Sequence, residues 1–131
     1  HRKPDRMAVD YGSTPVTGLH VLAIEKLRDY YGLKKEPVKV TEPYQMLGEV
    51  GPDLMEVLGA DVIGLNPRTN IMGFESGDWK EFRRWWGQEV LVPGKFNTVT
   101  ASNGDLLLFP EGDMNAPPSA GCPRPVISLI P

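Results

Sequence analysis

Apolar and polar residues recur in short blocks along the chain, and these blocks predict alternating strands and helices. Residues 6–11 would place Met7 and Val9 on one face and Ala8 and Asp10 on the other, which predicts a short strand. Residues 17–31 carry apolar side chains near helical spacing and are followed by Gly32, which predicts a helix that ends there. Residues 61–65 predict a second strand. The order strand, helix, strand indicates the βα arrangement of a parallel sheet.

Three other blocks predict short helices. Thr41 is suited to cap a helix that reaches residue 47 or 48, and Pro52 is suited to begin one that ends at Gly59. Aromatic residues recur across residues 79–86, which predicts a helix with an aromatic face. A stripe of this kind is the buried face of a helix more often than a substrate lid.

The following segment predicts a β-hairpin. Residues 98–102 and 105–110 are rich in β-forming side chains and flank Asn103-Gly104, a pair that tolerates the positive φ of a tight turn. Residues 89–92 predict a strand that leads into this hairpin.

Composition limits the classes of partner. The chain has 131 residues, of which 40% are hydrophobic and 24% charged, and this is typical of a globular domain. The net charge of −3 provides no basic field for nucleic acid, and no apolar run reaches the length of a membrane span. The single cysteine, Cys122, fits a reducing compartment, so we expect a cytoplasmic protein without nucleic-acid or membrane partners.

Four segments together resemble one protein family. They are residues 96–118 (FNTVTASNGDLLLFPEGDMNAPP), the opening 1–12 (HRKPDRMAVDYG), residues 58–62 (LGADV) and the pair Trp86-Gly87. Taken in their order along the chain, they resemble the uroporphyrinogen decarboxylase superfamily, in its branch of related methyltransferases. The resemblance covers nearly the whole chain to about residue 119.

The resemblance implies an α/β fold of the TIM (β/α)₈ barrel type. A closed barrel needs about 250 residues, and this chain has 131. We therefore expect residues 1–119 to be the N-terminal part of a barrel, comprising its first βα units plus an inserted β-hairpin, within a longer parent enzyme. A partial barrel leaves strand edges open, so we expect the isolated chain to self-associate.

The resemblance also implies where a substrate binds. In barrel enzymes the active site lies just past the carboxyl ends of the strands, and this selects Asp10, Tyr11, Gly12, Asn66 and Arg68. Arg68 is able to hold a carboxylate in a bidentate fork, and Asp10 to exchange a proton or hold an arginine. For each residue alone, a salt bridge or a solvated loop is the commoner role. No catalytic residue is assigned.

Two departures from the decarboxylases favour the methyltransferase branch. Those enzymes carry an arginine-rich glycine loop after the first strand and an aspartate after the second, both directed at the tetrapyrrole. The corresponding segments here are Tyr11-Gly12-Ser13-Thr14, without arginine, and residues 64–68 (GLNPR), without aspartate. The parent is therefore expected to be a methyltransferase. A uroporphyrinogen decarboxylase and a non-catalytic binding module are the alternatives.

Methyltransferases of this superfamily resemble one another in binding zinc through a His-x-Cys pair and a distant cysteine. Zinc converts a thiol into a thiolate, which accepts a methyl group from a corrinoid protein. In this chain His1, His20 and Cys122 lie at no such spacing, so no metal site is assigned. The resemblance assigns zinc and the corrinoid partner to the rest of the parent, and we expect this chain alone to be inactive.

The last twelve residues, 120–131 (AGCPRPVISLIP), do not resemble the family. A family-like continuation, Gly-Arg-Met-Pro-Pro-Ala-Gly-Tyr-Phe-Phe-Asp-Thr, has a coding sequence that yields these residues when one G is deleted from its first codon. We therefore interpret residues 120–131 as an out-of-frame tail in which Cys122 has no redox or metal role. Sequencing the source DNA tests this hypothesis, which is wrong if restoring one base gives no Tyr-Phe-Phe-Asp continuation.

Overall fold

The computed structural model describes residues 4–84 and 86–122, which form two sheets and two helices. The first half contains α1 (Val21–Tyr30) and α2 (Pro52–Leu58) among short strands. The strands are β1 (Leu19–His20), β2 (Val38–Glu42), β3 (Leu47–Gly48), β4 (Lys80–Arg83), β5 (Glu89–Val92), β6 (Thr98–Thr100), β7 (Leu106–Leu108) and β8 (Ser119–Cys122). The five-stranded sheet has the order β1-β3-β2-β5-β4, and the three-stranded sheet has the order β6-β7-β8.

This topology contradicts the predicted partial TIM barrel with its first βα units. Only β2 and β5 pair in parallel among the described strands, whereas every other pair is antiparallel. The segments 6–11 and 61–65, predicted as barrel strands, are not strands. Their apolar side chains are not packed in the core as those of barrel strands would be: Met7 is 88% exposed and Ile63 is 80% exposed. The chain is therefore a β-rich mixed fold.

The elements with strong local signals are confirmed. Helix α1 lies inside the predicted 17–31 and ends before Gly32, which has a φ of 65°. Helix α2 begins with Pro52 and ends at Gly59 in the left-handed conformation. Strand β5 and the β6–β7 hairpin also lie where the sequence predicts them, and Gly104 in that turn has a φ of 89°.

Two predicted helices are wrong, because both segments form strands that pair. The segment after Thr41 forms the end of β2, a turn and β3, with Met46 at a φ of 56° in the turn. Within residues 79–86, β4 pairs antiparallel with β5. Phe82 and Trp86 nevertheless pack against the core, as expected for a buried aromatic face. Trp85 lies outside the described residues.

The core lies between the five-stranded sheet, the two helices and the loops that cross them. Val40, Val90 and Val92 of the central strands are fully buried, as is Leu54 of α2. Phe74 stacks edge-on against Phe96, with ring centroids 6.1 Å apart, and joins the loop before β4 to this core. In the described part of the chain, neither helix is long and apolar enough to cross a membrane.

The out-of-frame interpretation of residues 120–131 stays a prediction. The backbone of β8, which includes Cys122, pairs with β7. Residues 123–131 lie outside the described residues.

Helix α1 is capped by a histidine ring. Nδ1 of His20 accepts the backbone N–H of Leu22 at 3.2 Å, and only the neutral ring can do so, because protonated imidazole has no acceptor. The ring also packs on Trp86, with centroids 5.7 Å apart. Burial, and then the nearby positive charge of Arg84, lower the pKa of His20 below its ordinary value.

We expect the free energy of unfolding to decrease as the pH falls, partly through His20. Because its pKa is lower in the folded chain, protonation favours the unfolded state. The contribution of neutral His20 to stability is complete above the unfolded pKa of about 6.5, and it is lost as the pH falls through the lower pKa of the folded chain. Urea unfolding at several pH values should show a steeper decrease for the unmodified chain than for His20→Asn, which caps without titrating. Equal slopes for the two proteins would contradict this role.

Candidate functional site

The two loops that the sequence selected lie against each other, although neither follows a strand. The backbone N–H of Asp61 donates to the carbonyl of Val9 at 2.8 Å, and the Asp61 carboxylate accepts the Val9 N–H at 2.9 Å. Gly64 packs so closely on Ser13 that a Cβ at position 64 would lie 2.3 Å from the Ser13 carbonyl oxygen. Residues 10–18 and 61–66 therefore form one continuous surface.

Asp10 organises the first of these loops. Its carboxylate accepts hydrogen bonds from the backbone N–H of Ser13 at 3.0 Å, from the Ser13 hydroxyl and from the Thr17 hydroxyl at 3.0 Å. The Ser13 hydroxyl is the largest cause of a pKa of Asp10 below its ordinary value. A carboxylate with three hydrogen-bond donors is suited to holding the loop in shape.

A cavity of about 570 Å³ lies where this loop faces the β2–β3 hairpin and the segment that follows residue 64. The loop contributes Gly12, Ser13 and Gly18 to its wall, and the hairpin contributes residues between 41 and 48. Residues between 65 and 72 form the remaining side. A volume of this size suits a small organic ligand, for which pockets of about 300–1,000 Å³ are usual.

The five predicted site residues are divided by this geometry. Gly12 and Asn66 line both the large cavity and an adjacent one of about 220 Å³, and Tyr11 lines the smaller one. Asp10 lines neither cavity, and its carboxylate accepts a hydrogen bond from the Thr17 hydroxyl within the loop. Arg68 is exposed, lines neither cavity and makes no ion pair with any described residue.

Glu42 is a further residue of the cavity that the sequence pattern did not indicate. This residue ends β2, is buried and lines the large cavity. Its carboxylate accepts the backbone N–H groups of Tyr44 and Gln45, so it closes the turn of the hairpin. The prediction of a helix over this segment concealed the role. The alternation Val38, Val40 and Glu42 was the available signal for a strand that ends on a buried carboxylate.

Two apolar side chains in the lining of the cavity are exposed to solvent. Leu65 and Ile71, which line it, are 97% and 88% exposed. The lining thus combines exposed apolar side chains with neutral polar groups and one acidic residue, Glu42. Among the described residues, no group of three His, Cys, Asp or Glu side chains is arranged to hold a metal ion.

Compared with known proteins, the chain matches no family model, no curated protein and no solved structure. The resemblance to the uroporphyrinogen decarboxylase superfamily therefore rests on the quoted segments alone.

Proposed function

We propose that this chain binds a small, largely apolar molecule in the cavity between the β2–β3 hairpin and the two loops. We propose further that the chain is the N-terminal region of a methyltransferase of the uroporphyrinogen decarboxylase superfamily. One observation carries the proposal. The two segments that the family resemblance selected for substrate binding, 10–12 and 66–68, come from distant parts of the chain, and Gly12 and Asn66 meet at the wall of one cavity. The chain would supply binding surface, while zinc and the corrinoid protein would act elsewhere in the parent.

The charge of the cavity supports the methyltransferase over the decarboxylase. The described residues that line it include the acidic Glu42 and no lysine, arginine or histidine. A tetrapyrrole with several carboxylates would meet repulsion there, since like charges in a partly apolar site disfavour binding. Arg68 lies outside the lining, so it adds no positive charge that would favour a carboxylate ligand there. Composition, with one cysteine in the chain, supports a cytoplasmic location.

The proposal is tested with a neutral apolar dye, N-phenylnaphthylamine, whose fluorescence increases in apolar surroundings. We expect saturable binding to the purified chain. Thr14 is an exposed residue in the wall, and Thr14→Trp should weaken binding about tenfold, because the indole fills the space that the dye needs. The matched control is Thr100→Trp on β6, an exposed threonine that does not line the cavity.

Two results would contradict the proposal. One is dye binding that is equally weakened by both tryptophan variants, which would indicate binding at other surfaces. The other is the absence of saturable binding by a chain that unfolds cooperatively in urea.

A further inference from the structure

The carboxylate in the cavity is held by the hairpin itself. Glu42 is 9% exposed, and its two oxygens accept the backbone N–H of Tyr44 at 2.9 Å and of Gln45 at 2.7 Å. A carboxylate has about four acceptor positions, so two backbone donors leave it able to accept from a ligand. The turn therefore fixes the position of a negative charge in the cavity wall.

An aromatic residue accompanies this charge. Tyr44 lines the same cavity two residues further along the hairpin and is 40% exposed. The remaining polar side chains of the lining are neutral hydroxyls and amides, such as those of Thr41 and Asn66. A positive charge is attracted both by a carboxylate in partly apolar surroundings and by the face of an aromatic ring. Leu47 and Met72 supply apolar surface for a hydrocarbon part.

We propose that the cavity selects a small organic cation of the alkylammonium class. Glu42 supplies the opposite charge, Tyr44 the ring face, and the apolar wall the contact with alkyl groups. This inference rests on the proposed function, because it names the chemistry of the molecule that the cavity takes. The same carboxylate disfavours carboxylate and phosphate ligands.

The test compares three probes of one shape and different charge: choline, its neutral carbon isostere with a quaternary carbon in place of nitrogen, and the anion tert-butylacetate. Each is titrated into the chain, and its dissociation constant is measured from displacement of N-phenylnaphthylamine and from amide chemical shifts. We expect choline to bind about tenfold more tightly than the neutral isostere, and the anion to bind most weakly.

Substitutions then locate the source of the preference. Glu42→Gln should reduce the preference for choline to about twofold or less, while Glu75→Gln, at an exposed residue outside the lining, should leave it unchanged. Because Glu42 also closes the turn, Tyr44 provides a second comparison. Tyr44→Leu should weaken choline binding several-fold, and Tyr44→Phe should preserve it.

The outcomes separate this inference from the function on which it rests. Equal affinity for choline and the neutral isostere, with dye binding intact, would overturn the cation preference and leave the binding cavity standing. A cation preference that survives both Glu42→Gln and Tyr44→Leu would also overturn the assignment. Failure of the dye and all three probes to bind would reject the proposed function, and the cation preference with it.

Discussion

Arg28→Met is expected to lower the free energy of unfolding by about 2 kcal/mol, because it removes the hydrogen bonds that a buried guanidinium donates to two other segments. Arg28 is 5% exposed and lies on α1. Its guanidinium donates two hydrogen bonds to the Asp53 carboxylate, each 2.9 Å long, and two to the carbonyl of Lys34, at 2.8 and 3.1 Å. It therefore joins α1 to the first turn of α2 and to the segment before β2. Methionine keeps most of the apolar stem, so the loss reports on the hydrogen bonds.

The matched control for this prediction is Arg83→Met. Arg83 pairs with Glu89 at 2.6 Å, but both side chains are more than half exposed. Such a surface pair contributes about 0–1 kcal/mol, so its removal should change stability little. Both variants are compared by urea unfolding with the m-value checked. Similar losses for the two variants would show that burial of Arg28 does not decide its contribution.

Gly64→Ala is expected to lower the free energy of unfolding by about 2 kcal/mol and to abolish saturable dye binding, because the added Cβ overlaps backbone. That Cβ would lie 2.3 Å from the carbonyl oxygen of Ser13 and 2.8 Å from its carbonyl carbon. The Ser13 loop is in turn held by Asp10. The two loops must therefore separate, and the wall of the cavity moves with them.

Gly77→Ala is the control for position 64. A Cβ at Gly77 would meet no atom within 4 Å, and its φ is not in the left-handed region. This variant should keep both stability and dye binding. A Gly64→Ala protein that retains unmodified stability and dye affinity would contradict the packing of the two loops described above.

Local sequence signals predicted part of the fold well. Pro52 and Gly59 bound α2, and Asn103-Gly104 marks a hairpin, because each acts on the backbone at its own position. The local pattern predicts helices after Thr41 and over residues 79–86, yet these segments contain β3 (Leu47–Gly48) and β4 (Lys80–Arg83). What decides them is pairing with β3 and β5, which no local pattern reveals.

The sequence likewise indicated some residues of the candidate site and not others. The family resemblance brought together two loops that do adjoin, and Gly12 and Asn66 do line the cavity. The strands expected to carry those loops are absent from residues 6–11 and 61–65. Glu42 was missed because its role depends on a turn that forms only when β2 and β3 pair. Asp10, which the sequence predicts as a substrate-binding residue, accepts hydrogen bonds from Ser13 and Thr17 within its own loop.

The parallel pairing of β2 with β5 joins two strands that lie far apart in the sequence. Val38 pairs with Val90, so the whole of residues 43–88 forms a loop that this pairing closes. Residues 65–72, one side of the cavity, lie within that loop. Closing a long loop costs entropy before distant contacts repay it, and such pairings form later than hairpins. A nascent chain that has not yet emerged from the ribosome beyond β5 therefore cannot complete the five-stranded sheet, and residues 65–72 are not yet held within a closed loop.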